Sequence, residues 1–549
     1  MKVVKTCFFT ILCFLFSDVI GQSLHFTKQD TLRGAITTER IWWDLKHYKL
    51  SVEVNPNDSS LIGSNSITFQ VLKPYEKMQI DLQPPMKINE VRQGGKKLAF
   101  SRDGNVYYIF FEELPRKGSM QKIDIDFEGK PIVGENPPWS GGITWSKDEE
   151  GNHFIATACQ GIGASTWWPC KDHMYDEPEE GMEIEVTVPK GLVAVANGRL
   201  TDVSSNKKNS KTYTWKVVNP INNYGVNINV GKYVHIKDSY DGEKGKLTCD
   251  YYVLKHHKKR AEPYFKEQVH KMLEAFEHWF GPYPFYDDGY KLVEAPYVGM
   301  EHQSSVTYGN GFEYGYGDHR ISNTPWDTTF DFIIIHESGH EWFANSITYK
   351  DIADMWVHEG FTSYSENLFL DYHFGKKASS EYVLGTRSKI HNKTPIIGYY
   401  DVNNISSRDI YYKGEQVLHY IRQLVDDDEK WRQILRGVNK TFYHQVVTSQ
   451  QIEAFLTEKT GIDLSLFFDQ YLRDTRIPIL EYRINNGALS YRWANCVDNY
   501  AVPVKVFINE KEEWFYPSTA WKTKPNISEG AVIKVDPNFY VASFNLTGT

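Results

Sequence analysis

The chain has 549 residues, of which 24% are charged and 15% are aromatic, and its formal net charge is −9. At roughly 150 residues per domain, this length predicts three or four domains with cores of their own, which excludes wholesale disorder. The chain also lacks the basic excess of a dedicated nucleic-acid binder, and no apolar run after its N-terminus reaches the ~20 residues that span a bilayer.

The N-terminal segment has the pattern of a cleaved export signal. Lys2 and Lys5 give a short basic start, residues 6–16 form an apolar stretch, and Gly21 offers a small-residue cleavage site. An uncleaved membrane anchor is the alternative, but the apolar stretch is short for one. We therefore expect residues 1–21 to be a signal peptide and the mature chain to be exported, to the periplasm or to the extracellular space.

Export would place the mature chain in an oxidising compartment, where cysteines pair. Four cysteines follow the signal segment, and they can form two disulfides in three connectivities. None of them has the C-x-x-C spacing of a cysteine zinc site. The four are Cys159, Cys170, Cys249 and Cys496.

Residues 22–245 show the alternation of half-buried strands. Leu50, Val52 and Val54 alternate with polar residues, and this period of two turns one face of a strand toward a core. Further runs alternate in the same way, and turn-forming residues separate them. This part of the chain predicts an N-terminal antiparallel β domain.

The period changes near residue 260. Five large apolar residues follow one another at spacings of four, three, four and three, which defines one face of a helix. They are Phe265, Val269, Met272, Phe276 and Trp279. Gly281 and Pro282 end this helix. A strand-like stretch at 290–308 and helical patterns up to about residue 475 predict a mainly helical domain at 246–476.

Strand periodicity returns after Pro478. Leu480 and Tyr482 alternate with polar residues up to Asn486-Gly487, a dipeptide typical of a tight hairpin turn. We expect a small β-sandwich-like domain at 477–549. The predicted fold class is α+β and multidomain, with a mainly helical domain between two β domains.

The strongest chemical signal is His336-Glu337-Ser338-Gly339-His340, which follows an apolar run. Histidines at positions i and i+4 project from the same helical face, one turn apart, so that two imidazole nitrogens can bind one zinc ion. Glu337 follows the first histidine and can take a proton from a water molecule at the open metal position.

A third ligand is available after a gap of 18 residues. Glu359 lies in a second helical pattern, and a carboxylate from a helix packed against the first would complete a two-His, one-Glu site with one position left for water. Glu366 is two turns further on the same face, where it can orient a ligand histidine or be an ordinary surface residue. The sequence predicts one zinc ion per chain, bound by His336, His340 and Glu359.

Three further motifs make this pattern resemble the gluzincin metallopeptidases of the aminopeptidase N and leukotriene hydrolase family. The family's G-x-M-E-N motif is similar to Gly299-Met300-Glu301, which ends 35 positions before the first zinc histidine. Upstream, Cys159-Gln160 and Pro169-Cys170 resemble another family stretch, and downstream Tyr411-Tyr412-Lys413-Gly414 resembles its Y-x-K-G stretch. The matches cover residues 159–414 in the family's order.

The resemblance implies a thermolysin-like zinc domain and an exopeptidase that removes the first residue from peptides with a free N-terminus. Such an enzyme needs a carboxylate near the metal to bind the substrate's α-ammonium group, and the resemblance assigns that role to Glu301. Gln160 would add a hydrogen bond from the N-terminal domain. Gly299 and Met300 would belong to the same substrate-binding strand.

The resemblance also assigns the stabilisation of the oxyanion to Tyr411, with the adjacent Tyr412 as its rival. The sequence departs from G-x-M-E-N at two positions, since Val298 replaces the glycine and His302 replaces the asparagine. Because the glutamate is kept, we expect these changes to affect the alignment of the substrate's first carbonyl rather than recognition of its amine.

Three other functions stay open at this level. A bifunctional epoxide hydrolase and aminopeptidase occurs within the same family. A catalytically weak binding scaffold would keep the fold without the activity, and an endopeptidase would result if the cleft admitted the middle of a peptide. Neither the preferred first residue nor the oligomeric state follows from the motifs.

Overall fold

A computed structural model describes residues 25–206 and 209–547, so the predicted signal peptide at 1–21 lies outside the described residues. Two short helices, α1 (Lys28–Gly34) and α2 (Thr38–Ile41), precede the first strand. None of the helices in the described ranges combines the length and the apolar character needed to cross a bilayer.

The N-terminal region is built from strands, as the alternating pattern predicts. Within the described residues they form an eight-stranded sheet, a four-stranded sheet and a three-stranded sheet. Pairing is antiparallel except where the first strand meets the strand that begins at Met182 in parallel. The strands are β1 (Trp43–Asn55), β2 (Ser60–Val71), β3 (Lys77–Asp81), β4 (Lys87–Gln93), β5 (Lys96–Lys97), β6 (Ala99–Asp103), β7 (Val106–Phe110), β8 (Met120–Gly129), β9 (Gly142–Lys147), β10 (His153–Ala158), β11 (Met182–Pro189), β12 (Val193–Ala196), β13 (Arg199–Asn206), β14 (Ser210–Val217) and β15 (Ile228–Gly231).

A mixed sheet opens the central region. Its strands are β16 (Tyr233–Gly242), β17 (Gly245–Leu254), β18 (Tyr290–Glu294), β19 (Gly299–Met300) and β20 (Val306–Tyr308). Their order is β16-β17-β18-β20-β19, so the short β19 lies at the edge. Glu301 directly follows this edge strand.

Helices form the rest of the central region. They are α3 (Lys258–Phe280), α4 (Phe332–Gly339), α5 (Trp356–Phe374), α6 (Lys376–Thr386), α7 (Tyr412–Val425), α8 (Asp428–Thr441), α9 (Ser449–Thr460) and α10 (Ser465–Leu472), with a small sheet of β21 (Ile347–Tyr349) and β22 (Gln445–Val447). The predicted apolar face of α3 is buried, and the helix ends at Gly281, whose φ of 93° suits a glycine. Helix α4 continues into a distorted π-helical turn at Glu341–Ser346, which is kinked where Phe343 and Ala344 have non-helical backbone angles.

The C-terminal region contains two packed sheets, in the orders β27-β24-β23-β29 and β26-β25-β28. Their strands are β23 (Ile479–Asn485), β24 (Ala488–Ala494), β25 (Val504–Ile508), β26 (Lys511–Phe515), β27 (Lys522–Pro525), β28 (Ile533–Val535) and β29 (Ala542–Asn545). Asn486 and Gly487 join β23 to β24 with φ angles of 52° and 72°, as the hairpin prediction requires.

The two disulfides that the sequence allows are absent from this structure, because all four cysteines after the signal segment are free thiols. All four are buried. The thiol of Cys159, for example, lies 3.7 Å from the hydroxyl of Thr166. Burial raises the pKa of the Cys159 thiol to about 12, which keeps it protonated and unreactive.

The hydrophobic core has two parts that meet beside β18 and β19. One part fills the N-terminal region and extends to Val293 and Met300. The other runs without a break from the central helices into the C-terminal sheets. The edge strand β19 therefore lies at the junction between the N-terminal and central regions.

Candidate active site

Helix α4 presents the H-E-x-x-H motif from a fixed starting point. The side chain of Asp331 accepts hydrogen bonds from the backbone N–H groups of Ile333 and Ile334, at 3.0 and 3.2 Å. The same carboxylate also accepts hydrogen bonds from the hydroxyls of Tyr264 and Tyr308, at 2.8 and 2.7 Å. A buried carboxylate cap of this kind satisfies the free N–H groups of the first turn and sets the position of the histidines that follow.

The three predicted zinc ligands lie together and are buried. Glu359 Oε2 is 3.7 Å from His336 Nε2 and 3.4 Å from His340 Nε2. A tetrahedral zinc ion with bonds of about 2.0–2.1 Å separates its ligand atoms by roughly 3.3 Å. Glu359 Oε2 is buried and accepts no hydrogen bond from the described residues. A bound cation would satisfy this oxygen.

Hydrogen bonds at the far side of each imidazole point its Nε2 atom toward Glu359. His336 Nδ1 is 2.8 Å from the carboxylate of Glu366, so of the two roles that the sequence left open for Glu366 the structure shows the orienting one. His340 Nδ1 is 3.0 Å from the carbonyl oxygen of Phe343 and 3.0 Å from the hydroxyl of Thr362. Such partners fix the tautomer and orientation of zinc ligands. Two imidazoles and one carboxylate with an open fourth position fit one catalytic zinc ion.

The charged groups of the cluster shift one another's pKa values. Burial disfavours ionisation of Glu359, but the facing His340 and His336 outweigh it and lower the pKa of this carboxyl. Burial also opposes a charge on His336, whereas Glu359 and Glu366 raise the pKa of its imidazole. Burial raises the pKa of Glu337 to about 8, against the effect of His336. A carboxyl group whose pKa lies near neutral pH is suited to take up and release a proton.

Gly299 allows the edge strand β19 to lie against the zinc helix. A Cβ atom at this position would lie 2.6 Å from Ile333 Cγ2 and 2.9 Å from Glu337 Oε1, closer than real contacts permit. The strand can therefore approach the motif only with a glycine here. The next residue, Met300, has its side chain in the apolar core, and Glu301 follows.

Gln160 and Glu301 meet next to the zinc ligands. The amide nitrogen of Gln160, just after β10, donates hydrogen bonds to Glu301 Oε1 and to Glu359 Oε1, both at 2.7 Å. The structure thus brings a glutamine of the N-terminal region to two carboxylates of the central region. Glu301, Glu337 and His340 also have ligand atoms within 4.8 Å of one another, so one cleft contains them all.

The sequence motifs did not indicate what holds the Glu301 segment in place. Asn345 donates through Nδ2 to the carbonyl oxygen of Glu301 and to Glu341 Oε1, both at 2.9 Å. Glu341 Oε1 in turn accepts the N–H of Ser304 at 3.1 Å. These residues come from the π-helical turn and from the loop after β19, so no regular spacing could reveal them. His302 is buried, and burial lowers the pKa of its imidazole to about 3.

The two adjacent tyrosines face different surroundings. The ring of Tyr411 stacks 6.2 Å from that of His336. Burial, followed by the negative charges of Glu359, Glu301 and Glu337, raises the pKa of its phenol. For Tyr412, burial is followed by the charges of Glu366 and Glu415 on the far side of the histidine. Of the two phenols, that of Tyr411 is the one beside the cleft.

A close contact between helices supports the position of Tyr411. A Cβ atom on Gly360 would lie 3.0 Å from the Cα atom of Gly414, and one on Gly414 would lie 2.7 Å from that of Gly360. Paired glycines therefore let α7 approach α5 closely enough to bring Tyr411 to the zinc cluster. His358, next to the ligand Glu359, instead accepts the N–H of Tyr349 through Nε2 at 2.9 Å.

Comparisons with known proteins agree with this arrangement. Residues 45–224 match the family model for the peptidase M1 N-terminal domain, and residues 264–471 match that for the peptidase family M1 domain. Leukotriene A-4 hydrolase of Xenopus laevis is 24% identical over 447 residues, which is 75% of this chain and 68% of the relative. The leucyl aminopeptidase of Saccharolobus solfataricus is 22% identical over 476 residues, which is 80% of this chain and 57% of the relative.

Solved structures share the fold. An M1 zinc metallopeptidase from Deinococcus radiodurans superposes with a TM-score of 0.67 at 19% identity, over 82% of this chain and 99% of that one. A variant of that enzyme has been solved with a Tyr-Ser-Ala substrate, with a TM-score of 0.66 at 19% identity over 81% of this chain and 98% of that one. This chain spans about half to two thirds of the length of the curated relatives that it matches. Two domain models in the family's order, together with the buried two-His, one-Glu cluster, establish that the chain belongs to the M1 peptidase family.

Proposed function

We propose that this protein is a zinc aminopeptidase that hydrolyses the first peptide bond of peptides with a free N-terminus. The observation that carries the proposal is the hydrogen-bonded group of Gln160, Glu301 and Glu359. Because Gln160 bonds to both carboxylates, it places the carboxylate of Glu301 directly beside a zinc ligand. A substrate ammonium bound to Glu301 leaves only the first peptide bond within reach of the metal.

The chain's residues would divide the chemical work. His336, His340 and Glu359 would hold the zinc ion, which supplies Lewis acidity toward the scissile carbonyl and toward the attacking water. Glu337 takes the proton from that water and delivers it to the departing amine. The phenol of Tyr411 donates a hydrogen bond to the oxyanion as charge develops there, a contribution typically worth about 100- to 1000-fold in rate.

Peptides are the substrate class that the relatives support. Several similar proteins are named aminopeptidases, and the structurally similar Deinococcus enzyme was solved with a tripeptide. We extend that class to this chain. The signal peptide predicted at 1–21 would place the activity outside the cytoplasm, in the periplasm or the extracellular space.

The proposal is tested with the mature protein from Gln22 onward and a panel of fluorogenic aminoacyl amides, each beside its N-acetylated form. We expect cleavage of the free-amine substrates alone. In the Glu337→Gln variant kcat should fall by about 100- to 10,000-fold, the usual contribution of a general acid–base group, with zinc content unchanged. The zinc content, measured by metal analysis, separates loss of chemistry from loss of the metal.

Two results would contradict the proposal. Equal cleavage of the acetylated substrates would mean that Glu301 does not select a free amine, and the enzyme would be an endopeptidase. Inactivity of the zinc-loaded protein on the whole panel and on longer peptides would favour the epoxide hydrolase or the binding scaffold.

A further inference from the structure

A second group of metal-binding residue types lies along the seam between the N-terminal and central regions, away from the zinc cluster. Its carboxylates come from the turn between β9 and β10, and its histidines come from the 3-10 turn Lys255–His257 that leads into α3. His256 takes part in two trios whose ligand atoms all lie within 4.8 Å of one another. Glu149 and His257 complete one trio, and Asp148 and Glu150 complete the other. We call these five residues the turn cluster.

The trio of Glu149, His256 and His257 has the same donor set as the catalytic site, two imidazoles and one carboxylate. Imidazole nitrogens favour zinc and similar transition metals, whereas calcium and magnesium favour sites built from oxygen atoms. Ligand atoms around a tetrahedral zinc ion are roughly 3.3 Å apart, so the three must close slightly on the ion. Glu149 is exposed, and its carboxylate can move inward by rotation about its side-chain bonds.

His257 already has the orienting contact that is typical of a zinc ligand. Its Nδ1 lies 2.6 Å from Glu294 Oε1, and Glu294 is held at the end of β18, where its Oε2 accepts the N–H of Leu254 at 2.7 Å. This contact between an imidazole and a buried carboxylate repeats that of His336 with Glu366. It occupies one ring nitrogen of His257 and leaves the other, Nε2, for a metal ion.

The imidazole of His256 has a nitrogen that lacks a partner. Its Nε2 is shielded from solvent and makes no hydrogen bond with any residue that the structure describes. The ring of His256 lies 4.2 Å from that of His257, measured between centroids. Leaving a buried polar atom unsatisfied costs free energy, and binding of this imidazole to a metal ion would offset that cost.

The turn that carries the carboxylates is fixed by its own hydrogen bonds. Asp148 accepts the backbone N–H groups of Glu150 and Asn152 through Oδ1, at 3.0 and 2.8 Å. The side-chain amide of Asn152 also donates to Asp148 Oδ2 at 3.0 Å. Glu149 is therefore presented to the histidines from a turn of defined shape, and only its own side chain has to be ordered when an ion binds.

We propose that Glu149, His256 and His257 bind a second Zn²⁺ ion, separate from the catalytic one, which joins the N-terminal region to the central region. The turn cluster and Gln160 lie toward opposite ends of β10, whose six residues span roughly 20 Å. The ion therefore takes no part in the reaction at the catalytic zinc. Because its ligands come from both regions, it binds the folded protein and stabilises it. The inference holds whichever reaction the catalytic site performs.

The test is equilibrium dialysis of the zinc-loaded protein against increasing Zn²⁺, with bound zinc measured by metal analysis. We expect the wild type to bind about two zinc ions per chain, the second one reversibly. Glu294→Gln should weaken the second ion about 10- to 100-fold, as is typical for the partner of a ligand histidine. Glu149→Gln and His257→Ala remove a ligand outright, so they should weaken it further and leave the first ion bound. Added Zn²⁺ should raise the Tm of the wild type and not that of Glu149→Gln.

His235→Ala is the matched control, because the side chain of His235 is 32% exposed against 29% for His257 and also contacts a carboxylate, that of Asp250. This variant should bind the second ion as the wild type does. A wild type that binds only the catalytic zinc would overturn the inference. Equal binding of the second ion in Glu149→Gln and His257→Ala would overturn it too, because the ion would then lie elsewhere. So would displacement of that ion by Ca²⁺, which would indicate a site of oxygen ligands.

Discussion

The phenols of Tyr411 and Tyr412 belong to adjacent residues, yet different carboxylates act on them. Glu359, Glu301 and Glu337 act on the first, and Glu366 and Glu415 act on the second. The sequence alone left Tyr412 as a rival of Tyr411, because the two tyrosines are adjacent in the Tyr411-Tyr412-Lys413-Gly414 stretch. The direction of each side chain depends on the backbone of Tyr411, whose φ and ψ of −70° and −85° lie outside the helix that follows.

Tyr411→Phe removes one hydroxyl and leaves the ring. We expect kcat to fall about 100- to 1000-fold, because the oxyanion loses a donor worth roughly 3–4 kcal/mol, while KM and zinc content stay close to those of the wild type. Steady-state kinetics on an aminoacyl amide measure the change. Tyr412→Phe is the control and should keep kcat within about threefold. The opposite ranking of the two variants would reassign the oxyanion donor.

Glu366→Gln weakens the hydrogen bond that orients His336, whose Nδ1 lies 2.8 Å from the carboxylate. We expect zinc affinity to fall about 10- to 100-fold, as is typical when a partner of a ligand histidine is changed. Competition with a chelator of known affinity measures it. Glu458→Gln changes a glutamate that is 71% exposed and should leave zinc affinity unchanged. Equal zinc affinities in the wild type and in both variants would mean that Glu366 does not support the metal site.

At the scale of elements, helix α4 depends on the residue that begins it. Asp331 accepts hydrogen bonds from two backbone N–H groups, from the buried hydroxyl of Tyr308, from the half-buried hydroxyl of Tyr264 and from the amide of Asn310. Its removal therefore leaves several polar groups without partners in a buried place. The cap of α9 is different, because the hydrogen bond from the N–H of Gln451 to the side chain of Thr448 is exposed. If Thr448 is removed, water can accept a hydrogen bond from this N–H group.

Asp331→Ala should lower the free energy of unfolding by about 2–4 kcal/mol, since a lost cap costs about 1 kcal/mol and the buried Tyr308 hydroxyl, left without its partner, adds about 1–3 kcal/mol. Thr448→Ala, the matched cap variant, should cost about 1 kcal/mol. Chemical denaturation followed by tryptophan fluorescence compares the two. Equal losses would mean that the tyrosine contacts to Asp331 contribute nothing to stability.

The elements that could be predicted from the sequence are those that depend on a local and regular spacing of residues. The apolar face of α3 and the Asn486-Gly487 hairpin follow from local spacing, and both are present. The pair of zinc histidines was predictable for the same reason, since they occupy one helical face. The π-helical turn was not predictable, because the side chain of its residue Asn345 is held by the carbonyl oxygen of Glu301, which is distant in the sequence. Gln160 lies 141 residues from Glu301 and 199 from Glu359, so only the family resemblance indicated it.

At the scale of the whole molecule, buried polar groups join the N-terminal region to the central region. Glu177 of the N-terminal region accepts the hydroxyl of Thr348 at 2.7 Å. Burial raises the pKa of Glu177 to about 8, against the effect of that hydrogen bond, from an ordinary value of 4.5. The folded protein therefore holds this carboxyl protonated under conditions in which the unfolded chain has lost the proton.

The raised pKa of Glu177 makes the stability of the molecule depend on pH. Between pH 4.5 and 8 the unfolded state binds fewer protons at this group, so the free energy of unfolding falls as the pH rises and levels off above the folded pKa. Glu177→Gln stays neutral and can still accept the Thr348 hydroxyl. We expect the variant to lose less stability between pH 5 and 8 than the wild type, by at most about 4 kcal/mol at 1.36 kcal/mol per pKa unit.

Denaturation curves at pH 5, about 6.5 and 8 measure the difference between these two proteins. Glu179→Gln is the control, because Glu179 is 62% exposed and should leave the pH dependence as it is in the wild type. The assignment fails if Glu177→Gln follows the wild type at every pH.

The two hydrogen bonds of Gln160 have a consequence for the way the protein can be inhibited. The residue belongs to one region, and both of its acceptors belong to another, so the site proposed to anchor the substrate's amine is built from both regions. A molecule wedged into the seam would separate the amide from Glu301 without approaching the metal. Under the proposed function, such a wedge would weaken the binding of the substrate's amine and leave the zinc ligands in place, a route to inhibition that chelating compounds do not share.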